Sequence, residues 1–145
     1  MKKESSAWNI AATHFLTAGF LIPFLTSLAV GYGLSTAGMD VESVPMQLLS
    51  NTIWLVSIWL GVMYSANYIA KKYVVTDASK IVNLSTIYRI VLVTLFIGGG
   101  IFMASGDAVT IDSTAATFQV VFAIVGTVVF YIASKKYIKQ DSVGV

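Results

Sequence analysis

Tyr68-Ile69-Ala70-Lys71-Lys72-Tyr73 closes one long apolar stretch, and Tyr131-Ile132-Ala133-Ser134-Lys135-Lys136-Tyr137 closes another. In each, an apolar run meets two lysines set between tyrosines. That is the chemistry of a helix leaving hydrocarbon at a charged face, where tyrosine rings sit at headgroup level and lysines reach water. The two endings mark two exits on one side of a membrane and divide the chain into two halves.

Working outward from these exits, the chain resolves into four apolar runs: about Trp8 to Leu34, Pro45 to Tyr73, Ile81 to Ser105 and Ala115 to Tyr137. Each supplies the ~20 residues that a helix needs to cross ~30 Å of hydrocarbon. Open strands are excluded there, because lipid cannot satisfy their backbone groups. The alternation of a β-barrel is absent. Composition agrees: 57% of the 145 residues are hydrophobic and 11% are charged, against about 25% charged in a soluble domain. The expected fold is an all-α membrane protein, a single four-helix transmembrane domain over 1–145. The first run follows Lys2 and Lys3 like a signal peptide, but its core is too long and no good cleavage site follows, so it is expected to remain as a helix. No cysteine is present, which removes disulfides and thiol chemistry.

Charge orients the bundle. Lys2, Lys3, Lys71, Lys72, Lys80, Arg89, Lys135, Lys136 and Lys139 are all the basic residues, and all lie near the termini or the middle link. The other two loops hold Asp40, Glu42, Asp107 and Asp112. The positive-inside rule then places both termini in the cytoplasm, in the cell membrane. Basic residues so placed serve topology, which argues against nucleic-acid binding.

The halves resemble each other. Asn9 to His14 can be laid on Asn83 to Tyr88, and Gly61 and Gly126 fall at similar depth. Two tandem helical hairpins, 7–73 and 81–137, would be parallel repeats about an axis along the membrane normal. The competing account is that lysine and tyrosine at cytoplasmic ends make any two hairpins alike.

Candidate functional residues are few. His14 is the only histidine; without partner ligands it fits a helix contact or interfacial position better than a metal or haem site. Arg89 is expected at the interface, its guanidinium snorkelling to lipid phosphates, because Ile90 to Ala108 already suffices to span. The alternative is an arginine facing the bundle to meet an anionic solute. No acid or base occupies the middle third of any run, which argues against ion-coupled transport and intramembrane catalysis. No cofactor is implied.

Small residues recur at helical spacing: Ser57, Gly61 and Ser65 on the second run, and Ala123 and Gly126 beside Gln119 on the fourth. Such stripes let helices pack closely in lipid. Thr17 and Gln119 are candidate polar contacts. Pro23 releases the Gly19 carbonyl, and Gly98-Gly99-Gly100 lies at matching depth, so these five residues are candidate hinges or static kinks. The leading expectation is a non-catalytic structural or accessory subunit in contact with lipid and with itself or another membrane protein. The rival is a channel or facilitator for a small solute.

Overall fold

The computed structural model describes residues 2–106 and 113–141. The first span is built from α1 (Ala7–His14), a π-helical segment (Phe15–Leu21) and α2 (Ile22–Thr36). Then follow α3 (Val44–Lys72), α4 (Ala78–Gly106) and α5 (Ser113–Tyr137). Among the described residues, four helices are long and apolar enough to cross a membrane. Asp107 and Asp112 lie outside the described residues.

Local sequence sets the helix ends. Ser6 caps α1 by accepting from the Asn9 N–H. α2 ends on Gly38, whose φ of 70° is a left-handed turn that glycine adopts without a Cβ penalty. Pro45 stands in the first turn of α3, where a missing N–H costs nothing.

The core is unevenly distributed. At the lysine-rich end, Ile10, Ala11, Ala66, Ile69, Val75, Ile81, Val82 and Ile138 pack together. One layer further in, Ala18, Ile58, Val62, Phe130 and Ala133 form a second cluster. Leu25, Leu28, Leu60, Leu95, Ile124 and Ile132 face outward, as expected where the solvent is lipid rather than water. Below Pro23 the first span packs on α4 as well as α3. Beyond Pro23, α2 stays on α3 and, among the described residues, has little close contact with α4. Among the described residues the bundle is therefore more tightly closed at the lysine-rich end than at the other.

The closed end is laced by backbone. Lys3 N–H donates to Lys72 O (2.7 Å) and accepts from Val74 N–H at its own carbonyl (3.1 Å), while Asp141 N–H donates to Val75 O (2.9 Å). Lys2 Nζ reaches Asp141 Oδ1 at 2.6 Å. The two chain ends and the α3–α4 link thus lie together.

Lys2, and after it the Val75 N–H, hold the Asp141 carboxyl below the usual carboxylate range. A depressed pKa gives a contribution present above the ordinary value of about 4 and lost as pH falls through the lowered one. Lys2→Ala is expected to speed amide exchange at Val74 and Val75 at neutral pH. Wild type should approach the variant's protection only on acidification below about pH 4. Equal protection in both proteins at neutral pH would remove Lys2 from this lacing.

Candidate intramembrane binding chamber

Arg89 stands about 16 Å along α4 from Ala78. Its side chain does not snorkel. It is 2% exposed and turned into the bundle, against the interfacial position expected from spacing. The physical reason lies on the first span. In a regular helix the Gly19 carbonyl would accept from the N–H of residue 23, and Pro23 has none. The segment before it has slipped into π register, with Ile22 N–H bonded to Thr17 O. Arg89 Nη1 donates to the Gly19 carbonyl. A freed backbone acceptor inside the bundle and a charged donor thus satisfy each other, as lipid-embedded backbone requires.

Aromatic faces complete the seat. The guanidinium carbon lies 5.4 Å from the ring centres of both Trp54 and Phe130, within cation–π range. Gly126 makes this possible: a Cβ there would stand 2.5 Å from Trp54 Cζ3 and 3.1 Å from Arg89 Nη2. Gly19 is tight too, with a Cβ falling 2.9 Å from Phe15 Cδ2 and 3.3 Å from Phe130 Cε2.

Two things remain unmatched. Among the described residues no carboxylate pairs with Arg89, since the one ion pair is Lys2–Asp141. Its Nε is buried without a hydrogen-bond partner. A buried guanidinium costs several kcal/mol in lost hydration, of which one charged hydrogen bond returns about 1.5–3.

Arg89 forms part of the wall of a cavity of about 580 Å³, within the ~300–1,000 Å³ of small-molecule sites. The walls come from all four spans: Gly19, Pro23 and Phe24; Trp54; Leu92, Val93 and Phe96; Gln119 and Ala123. Ile97 and Gly100 also line it. A second cavity of about 260 Å³ adjoins it, sharing Ser27, Trp54, Gln119 and Ala123, and continues past Ser50 and Asn51. The larger chamber is mainly hydrocarbon, with one fixed positive charge.

His14 lies deeper toward the laced end. It is fully buried, with Nδ1 3.0 Å from Ser65 Oγ and Nε2 2.8 Å from Ser134 Oγ. A hydroxyl can donate or accept, so the imidazole is satisfied in either tautomer. Phe130 separates this layer from Arg89, with its ring 5.1 Å from that of His14. Ser134 is the residue by which the second lysine-tyrosine ending exceeds the first.

Other sequence candidates fall as follows. Ser57, Gly61 and Ser65 are buried inside the bundle, Gly61 against Ala18 and Ile22. On α5, Gly126 is buried, Ala123 is half-buried and Gln119 is exposed, the last two lining the chamber. Thr17 is half-buried on the π segment and does not line the chamber. Gly98, Gly99 and Gly100 lie within α4, and a Cβ on any of them would meet none of the described residues within 4 Å. Spacing did not single out Trp54, Ser134 and Phe130 as companions of Arg89 and His14. Their neighbours depend on pairing between helices distant in sequence.

This geometry defines the class: an all-helical protein with four helices suited to spanning a membrane, holding a lined chamber with a buried arginine. Comparison with protein-family models, curated protein sequences and solved structures finds no match.

Proposed function

We propose that this is a non-catalytic multi-pass protein of the cell membrane that binds a small organic anion inside its bundle and facilitates its movement, with both termini cytoplasmic. One observation carries the reading: Arg89 is a buried cation that, among the described residues, has no carboxylate partner and forms part of a chamber wall. A charge kept at such cost is, in a membrane, a functional-site hypothesis whose missing partner is an anion. This orientation is supported by the eight basic residues other than Arg89, all toward the laced end. The leading sequence expectation of an accessory subunit drew on small-residue stripes; in α3 these residues are buried within the bundle.

The test is uptake of a labelled organic carboxylate by proteoliposomes. Flux above empty vesicles, lost in Arg89→Met, is the expected outcome. Absence of both flux and binding, with a membrane partner that stays attached through purification, would return the protein to an accessory role.

A further inference from the structure

We infer that the chamber's ligand is a single-chain amphiphile with one anionic head, an alkyl monocarboxylate, which enters sideways from the bilayer between α2 and α4. This rests on the anion-chamber reading above and narrows it to a chemical class.

The head is fixed by Arg89. Its planar fork suits a carboxylate, and its Nε, buried in the chamber wall, has no hydrogen-bond partner. One cation neutralises one negative charge. A multiply charged anion would bury charge that no second cation answers, since the other basic residues of the described chain lie toward the laced end. A small hydrophilic anion is also poorly matched, because beyond Arg89 the wall is Leu92, Val93, Phe96 and Ile97 on α4 and Pro23 and Phe24 on the first span. Such a wall gains from an alkyl chain and gives little to replace a hydration shell. On α4 it runs from Arg89 to Gly100, about 16 Å, enough for a medium-length chain. A diacyl lipid would have to leave a second chain outside.

The route follows from where the bundle is less tightly closed. Beyond Pro23, α2 and α4 have little close contact among the described residues, and the gap is flanked by Phe24 and Phe96, 47% and 67% exposed. Phe20 and Phe24 stack, with ring centres 5.6 Å apart, and form one doorpost. The loop after α2 carries exposed Asp40 and Glu42, which repel an anion arriving from water at that end. An amphiphile dissolved in the bilayer meets neither obstacle.

Binding is measured on the full chain in nanodiscs, by native mass spectrometry and by Trp54 emission in a Trp8→Phe/Trp59→Phe background. The probes are sodium phosphate, acetate, hexanoate, decanoate, decanol and phosphatidylglycerol. Affinity referred to free aqueous ligand is expected to rise about fourfold per added methylene, the factor equivalent to about 0.8 kcal/mol of burial. Decanoate should bind at least tenfold tighter than decanol, and that advantage should vanish in Arg89→Met. Val93→Phe, which fills chamber space and leaves the arginine in place, should weaken decanoate more than hexanoate.

Acetate or phosphate binding as well as decanoate would overturn the amphiphile class and leave the anion chamber standing. Preferential retention of phosphatidylglycerol would overturn the single-chain assignment in favour of a membrane lipid. No binding of any anion would remove both this inference and the reading beneath it.

Discussion

Arg89→Met is expected to abolish anion binding while lowering stability by only about 1–3 kcal/mol, the cost of an orphaned buried carbonyl at Gly19. Adding Pro23→Ala is expected to recover much of that loss. Opposing terms keep the first effect small. Methionine removes a charged hydrogen bond and two cation–π contacts, but it also removes a guanidinium whose burial costs several kcal/mol. What it leaves behind is the Gly19 carbonyl, which Pro23 cannot satisfy. An alanine at 23 supplies the missing N–H. The two sites should therefore couple by about 0.5–3 kcal/mol in a double-mutant cycle, read from unfolding in one lipid or detergent. Strict additivity would mean that Arg89 is not there to answer the carbonyl. A collapse of the fold in Arg89→Met, not relieved by Pro23→Ala, would make the arginine structural.

The same substitution at two glycines is expected to act with opposite signs. Gly126→Ala places a methyl 2.5 Å from Trp54 Cζ3. The indole must turn, and it is itself wedged over Arg89. Overpacking of this kind costs about 1–3 kcal/mol, and here it should also weaken anion binding by displacing a wall. Gly98→Ala meets none of the described residues within 4 Å and replaces a helix-interior glycine, a gain of about 0.5–1 kcal/mol. Thermal unfolding of the two variants side by side checks the contrast. A stabilised Gly126→Ala would mean that Trp54 does not press on this backbone. A destabilised Gly98→Ala would mean that the triglycine is needed as a soft point in α4, which is the hinge role expected from spacing.

What could be read from the chain follows from the range of the interactions involved. Span positions depend on local hydropathy, so the four runs and their ends were legible. The release of the Gly19 carbonyl by Pro23 was legible too, because it is a property of one residue and its own helix. The partner of that carbonyl was not. Arg89 sits where a long side chain can reach either lipid phosphates or the interior, and apolar length alone favoured the former. The choice depends on an acceptor seventy residues away. His14 is similar: the bland expectation of a helix contact needed no partner to be named, and its partners, Ser65 and Ser134, come from two other spans. The small-residue stripes were visible, but whether they served this bundle or a neighbour depended on how the helices face.

The hydrogen bond from His14 to Ser134 closes over 120 residues, and the ion pair beside it over 139. This sets an order of biogenesis. The first span enters the bilayer early, with a polar imidazole whose second partner has not yet been synthesised. Contacts of such long range form only when their loops can close, so the lacing cannot complete until the last helix is in place. Until then the first span is held by lipid, α3 and α4. The chain therefore assembles by a final locking step, and a truncation before Ser134 is left as a set of inserted helices without a finished bundle.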